Sequence, residues 1–407
     1  MRIAYFVWEF PPKLVGGLGT YASEITPRFV KMGHDVCVFT MNHEGKLKTH
    51  EVMGGMDIHR PLAADATDIL HIFVDDELRR WGAGMKFFSD ILTYNMLSAN
   101  KFVNLLSKEG NFDIIVCHDW LSSIAGVISM ANTSLPLVFH VHSTEHGRSG
   151  GKGSKTVRDL EYYTALKANL IITVSYAMRE ELHMLNFPYD KIRVCWNGVD
   201  CEKYHPKNIS ETDAKEYRRK LGIGDDERLI LFTGRLTWVK GVDALIRALP
   251  TVLQKFPKTK LAILGVGEMK DELLSLASRL GISGQIVMID RWAEERERIM
   301  LYSCADVVCI PSRYEPFGIV ALEAMSMKKP VIVGMGGLRE IVQNGENGLY
   351  CDPNSPDTIS DAINRIFEDG AFASRISEGA RNRVEKFYSW DKIAKETIEL
   401  YKSAIQK

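Results

Sequence analysis

The segment Pro311-Ser-Arg-Tyr-Glu-Pro-Phe-Gly-Ile-Val-Ala-Leu-Glu-Ala324 holds two carboxylates, Glu315 and Glu323, eight residues apart on either side of Gly318. Gly318-Ile319 reads as the start of a helix, where unpaired backbone N–H groups and the macrodipole favour a phosphate. Glu323 then falls about one turn into that helix, amid Ile319, Val320, Ala321, Leu322 and Ala324. A carboxylate in such apolar company needs a partner. A ribose diol is one, because a carboxylate accepts from two hydroxyls. The alternative is a helix-start glutamate stabilised by the macrodipole.

Two loops could serve the same anion. Gly234-Arg-Leu-Thr-Trp-Val-Lys240-Gly241 follows an apolar run, with Arg235 and Lys240 five apart. A guanidinium fork and a point charge at a strand's C-terminal end suit a pyrophosphate; the alternative is two solvated charges. Near the N-terminus, Glu9-Phe-Pro-Pro-Lys-Leu-Val-Gly-Gly-Leu-Gly-Thr20 also follows a strand-like run. Gly16, Gly17 and Gly19 permit a tight turn and close approach of backbone amides to an anion. The spacing is neither the dinucleotide-binding nor the Walker pattern.

His118-Asp119-Trp120 and His140-Val-His142-Ser-Thr-Glu-His146-Gly-Arg148 each follow another strand-like run. Polar residues at the C-terminal ends of parallel strands line the ligand crevice of an open sheet. Asp119 is read either as a site residue or as the N-cap of the next helix. His142 is read as functional and His140 as core. His140, His142 and His146 lack zinc-site spacing, and no metal is expected. The basic run 147–155 is read as a mobile loop on the acceptor side.

The elements that would position these groups alternate along the chain. Strands are expected at Ile3–Val7, Asp35–Thr40, Ile114–Cys117, Leu137–Val141, Leu170–Thr173 and Ile192–Cys195. A second series comprises Leu229–Thr233, Lys260–Leu264, Ile286–Ile289, Val307–Ile310 and Val331–Val333. Helical patterns separate them, including 85–108. Short Val/Ile-rich strands alternating with helices indicate parallel sheets of the doubly wound α/β class. The pattern starts twice, with turn signals Asn197-Gly and His205-Pro between. Two Rossmann-like domains are therefore expected, 1–200 and 201–387. A final helix over 388–407, with an apolar stripe of Ile393, Thr397, Leu400 and Ala404, would pack back on the first.

Composition narrows the partner. Lys+Arg is 51 and Asp+Glu 52 in 407 residues, so no basic surplus marks a nucleic-acid binder. No apolar run reaches a membrane span of roughly 18 residues, and the first residues read as a buried strand rather than a leader. Seven scattered cysteines without a C-x-x-C pair suit a reducing cytoplasm.

Together these residues resemble a retaining glycosyltransferase of family 4 with the GT-B fold, close to the glycogen synthases. The likeness rests on Val15-Gly-Gly-Leu-Gly19, His118-Asp-Trp120, His142, Asn197-Gly-Val-Asp200, Arg235 with Lys240, Glu315 with Glu323, and Tyr388-Ser-Trp390. It implies two domains facing a cleft and a nucleotide sugar, UDP- or ADP-linked, bound by the second. Arg235 and Lys240 would neutralise the diphosphate, helped by amides of Gly16, Gly17, Phe317, Gly318 and Ile319. Glu323 would hold the ribose, Glu315 the transferred sugar, His142 would lie beneath its ring, and Asp119 would line the acceptor side. The acceptor would be a glucan or a small sugar. The resemblance implies transfer with retention and without a metal, and the chain has no D-x-D, only adjacent pairs at Asp225-Asp226 and Asp75-Asp76. A lipid-linked acceptor and an epimerase-type reaction are the competing readings. Lys13 stands two residues too early to match the lysine of glycogen-synthase loops.

Overall fold

The computed structural model describes residues 1–74 and 83–406; the pair Asp75-Asp76 lies outside them. The chain forms two compact units. One comprises Met1–Trp196 with Trp390–Lys407, the other Asn197–Ser389.

The first unit is built on an eight-stranded sheet. Its strands are β1 (Arg2–Phe6), β2 (Asp35–Phe39), β3 (His50–Met53), β4 (Met56–His59), β5 (Ile114–His118), β6 (Leu137–Val141), β7 (Leu170–Thr173) and β8 (Ile192–Val194). Their spatial order is β3-β4-β2-β1-β5-β6-β7-β8. All neighbours are parallel except β3 and β4, a hairpin turned by Gly54-Gly55. The hairpin was not expected. Its His, Glu, Met and Asp residues are weak strand formers, and the Gly-Gly turn was the one signal for it. Strands β1, β5, β6 and β7 are mostly apolar and almost wholly buried, as strands covered on both faces must be.

The last helix, Trp390–Ile405, packs on this unit. The Trp390 ring lies 5.8 Å from that of Tyr21, and the Tyr401 hydroxyl meets His140 Nε2 at 3.0 Å. The buried stripe runs through Ile393, Thr397, Tyr401 and Ala404. Leu400, expected in it, is half-buried, because a 3.6-residue period places position 401 inward instead.

The second unit has a six-stranded parallel sheet. Its strands are β9 (Arg228–Thr233), β10 (Thr259–Leu264), β11 (Ile286–Ile289), β12 (Val307–Ile310), β13 (Val331–Val333) and β14 (Leu349–Tyr350). The order is β11-β10-β9-β12-β13-β14. From β9 the chain winds one way to β11, then restarts on the other side at β12. In the first unit the same reversal lies between β1 and β5. A parallel sheet opens a crevice at the C-terminal ends of the strands flanking such a reversal. Among the described residues, no helix is long and apolar enough to cross a membrane.

Candidate active site

In the second unit the two predicted loops leave the two strands that flank the reversal. The Gly234–Gly241 loop leaves β9, and Pro311–Gly318 leaves its neighbour β12. Glycine lets them seat together. Gly241 has φ +70°, and a Cβ there would stand 2.0 Å from the Pro311 carbonyl oxygen. Gly336, with φ +78°, would place a Cβ 2.3 Å from the Glu315 carbonyl oxygen. Neither approach admits a side chain. Backbone bonds from Arg313 N to Val239 O (2.8 Å) and from Gly337 N to Glu315 O (2.9 Å) close the arrangement.

The result is an ion pair. Lys240 Nζ donates to Glu315 Oε2 at 2.5 Å, with both side chains largely buried. Arg235 is exposed and makes no hydrogen bond or ion pair to a described residue. A guanidinium left in water, five residues before the oriented ammonium in the same loop, is free to turn to an incoming anion.

Arg313 was missed by the sequence reading. It forms a bidentate pair with Asp243 at 2.7 and 2.9 Å and donates to Trp238 O, tying the Glu315 loop to the Lys240 loop. Nothing in the sequence linked residues 70 apart.

Glu323 lies in the helix Ile319–Ser326 and is only 4% exposed. The protein supplies partners of its own: Tyr204 Oη donates to Oε1 and Tyr302 Oη to Oε2, both at 2.8 Å, and Arg298 stands 3.5 Å away. The expected partner was a ribose diol, so the acid is less bare than the sequence suggests. Arg381, 3% exposed, donates to the carbonyls of Cys201, Tyr204 and Ser326 and so fixes Tyr204 beside the acid. The Phe317 ring is 2% exposed and packs on Tyr388, which leaves its backbone for a ligand. Gly318 caps the helix in the left-handed region, and Ile319 is half-buried.

In the first unit, Glu9 organises the glycine loop. Its Oε2 accepts from Val15 N at 2.5 Å and Gly16 N at 3.0 Å. A Cβ on Gly19 would lie 2.7 Å from the same oxygen, whereas one on Gly16 would meet nothing within 4 Å. The Gly16 amide, expected to face an anion, is thus spent on Glu9; Gly17 opens the helix Gly17–Lys31. Burial pushes the Glu9 carboxyl up, although those amides pull it down.

The N-cap reading of Asp119 needs correction, because His118 is the cap residue of that helix. Asp119 is 4% exposed, has φ +51°, and its Oδ1 accepts from His142 N at 2.7 Å and Ser143 N at 3.4 Å. It neither caps its helix nor faces solvent; it holds the turn that presents His142. Burial pushes it up to about 6, against the nearby Arg148.

His146, expected near His140 and His142, gives way to His118. His118 Nδ1 and His142 Nε2 share a hydrogen bond of 3.0 Å. One potential ligand atom from each of His118, His140 and His142 falls within a 4.8 Å cluster, the set nearest the site that could hold a metal. As they stand, His118 Nδ1 pairs with His142 Nε2 and His140 Nε2 with Tyr401, while His118 Nε2 is buried without a partner among the described residues.

These imidazoles make stability depend on pH. Burial depresses His142 from 6.5 to about 3, and holds His118 and His140 well below 6.5. Between pH 6.5 and about 3 the unfolded chain binds a proton at position 142 that the folded unit refuses. This contribution is complete above pH 6.5 and is lost as pH falls. His142→Gln removes it, so the gap in melting temperature between wild type and variant should narrow steadily from pH 6.5 downward. A gap independent of pH would refute the assignment.

Comparisons with known proteins fit this geometry. The family model for glycosyl transferases group 1 matches residues 213–383, and that for glycosyltransferase family 4 matches 15–203. The chain is 37% identical to an uncharacterised glycosyltransferase of Methanocaldococcus jannaschii, over 100% of this chain and 99% of that one. It is 30% identical to a glycogen synthase of Mycobacterium tuberculosis, over 99% and 95%. Among solved structures, a sucrose-phosphate synthase from Thermosynechococcus elongatus aligns with a TM-score of 0.83 at 22% identity, covering 99% and 98%. The catalytic domain of starch synthase IV from Arabidopsis thaliana, bound to ADP and acarbose, aligns at 0.78 and 17%, covering 100% and 99%.

Proposed function

We propose that this chain, which belongs to the family 4 glycosyltransferases and has the GT-B fold, moves glucose or a similar hexose from a UDP- or ADP-linked donor to a glucan or small-sugar acceptor. The observation that carries the reading is the Lys240–Glu315 pair at the strand reversal of the second unit, in the loop that also carries the exposed Arg235. Arg235 and Lys240 neutralise the diphosphate as the sugar leaves. Glu315, already held by Lys240, offers its other oxygen to the sugar hydroxyls. The remaining lone pairs of Glu323 accept from the ribose.

Transfer proceeds with retention. The departing diphosphate oxygen takes the acceptor's proton on the face it has just left, so no protein carboxylate attacks the anomeric carbon. Positioning and charge stabilisation supply the rate. The two cations do for the leaving group what a metal does elsewhere, so no metal enters the reaction. In the first unit, neutral His142 offers a hydrogen bond to the sugar, and Asp119 sets its position.

The test is a panel of UDP- and ADP-hexoses crossed with glucans, free sugars, sugar phosphates and lipid-linked sugars, read for released nucleoside diphosphate. Release that requires one donor and a glucan or small sugar is expected. Release only with a lipid-linked acceptor, or epimerised donor without release, would replace the reading.

A further inference from the structure

At the outer edge of the first sheet, far along the strand order from β5 and β6, four residues with metal-binding side chains converge on one face. In the parallel pairing of β2 with β4, Cys37 is the partner of Asp57. In the antiparallel pairing of β3 with β4, His50 is the partner of His59. Asp57 and His59 are two residues apart on one strand, so they share a face. Register alone therefore gathers Cys37, His50, Asp57 and His59.

The side chains already touch one another. Asp57 Oδ1 lies 2.5 Å from His50 Nε2, and Oδ2 lies 3.1 Å from His59 Nε2 and 3.9 Å from Cys37 Sγ. Ligand atoms of Cys37, Asp57 and His59 all fall within 4.8 Å of one another. A tetrahedral zinc site, with bonds of about 2.0–2.3 Å, has ligand-to-ligand edges of roughly 3.3–3.7 Å, so an entering ion would spread the two His–Asp contacts and draw Cys37 slightly closer. The His50 and His59 rings are stacked with centroids 4.7 Å apart. Cys37 and His59 are 1% and 4% exposed. The Nδ1 atom of His59 is buried without a hydrogen-bond partner among the described residues. That lone pair is bare because Nε2 carries the ring proton for Asp57; a cation on Nε2 would move the proton to Nδ1.

We propose that Cys37, His50, Asp57 and His59 form a binding site for a zinc-class divalent cation, separate from the transfer reaction. One thiolate, two imidazoles and one carboxylate are a borderline-soft set, which selects zinc or cobalt over magnesium or calcium. Binding releases the Cys37 proton to solvent, and the thiolate and carboxylate then neutralise the ion. The neighbouring Lys101 therefore meets no net charge. The ion would staple β2, β3 and β4 together. The next residue, Arg60, is 1% exposed and donates to Glu51 Oε1 at 2.5 Å and to Pro11 O at 2.7 Å. The staple thus reaches the loop that Glu9 organises.

The test uses the full chain, freed of metal and titrated with cobalt(II) and then zinc(II). One cobalt per chain with a thiolate-to-cobalt charge-transfer band is expected. Zinc should displace it and raise the melting temperature. Cys37→Ser should abolish the band. His50→Gln, at the exposed edge and harmless to the core, should weaken affinity by at least the roughly tenfold that loss of an outer-shell partner costs. Circular dichroism verifies that both variants fold. No band, a band surviving Cys37→Ser, or a band lost instead in Cys201→Ser would overturn the proposal. The outcome is independent of the sugar-transfer reading.

Discussion

Lys240→Ala should lower turnover by about 10²–10³, the usual loss when one preorganised charge is removed from a developing anion. The melting temperature should change little. Lys240 makes one ion pair, to Glu315, and both residues lie in loops rather than in the core. Glu315 is also within reach of water and of Ser312 Oγ at 3.5 Å. Arg235→Ala should give a similar loss of turnover with a smaller structural effect still, because Arg235 is exposed and unpartnered among the described residues. Steady-state kinetics with calorimetric melting checks both. Wild-type-like turnover in the two variants would sink the diphosphate assignment.

Glu323→Ala should behave in the opposite way, with a large loss of stability. It removes the acceptor of two buried tyrosine hydroxyls and leaves the Arg298 guanidinium without its anion. Hydrogen bonds to a charged group contribute about 1.5–3 kcal/mol each. A combined cost of about 4 kcal/mol is expected, a fall of roughly 10 °C for a unit of this size. Nucleotide affinity should fall as well. Calorimetric titration with UDP and ADP separates the two roles. Unchanged affinity in a destabilised variant would refute the ribose role and leave Glu323 as a structural anchor for its helix.

The contrast between these two glutamates shows how far sequence reasoning reaches. Both were legible as site candidates, Glu323 because a carboxylate in apolar surroundings must be explained and Glu315 through the family resemblance. Only the fold distinguishes them: Glu315 keeps one oxygen beside a lysine, whereas Glu323 is enclosed by Tyr204, Tyr302 and Arg298. Tyr204 comes from a distant segment and the other two from the preceding helix, Glu295–Cys304, and no local pattern announced them. The same holds for Arg313 with Asp243, and for Glu9 with Gly19. Asp119 is the clearest case. Its position after a strand suggested a helix cap, yet a left-handed φ and two amides of the β6 turn make it a buried brace.

The sequence by itself determined the fold class, the two-unit organisation and the loops to which the chemistry is assigned in the proposal. Hydrophobic periodicity and turn residues are local, and the strand-to-helix loops follow from them. Tertiary structure decided the strand order, and with it which loops become neighbours. Because β9 sits beside β12, residues 75 apart in the chain form one ion pair. Because β4 joins β2 in one register and β3 in another, Cys37, Asp57, His50 and His59 meet on one face. Register and strand order depend on which faces are buried together, and that is a property of the packed sheet rather than of any one segment.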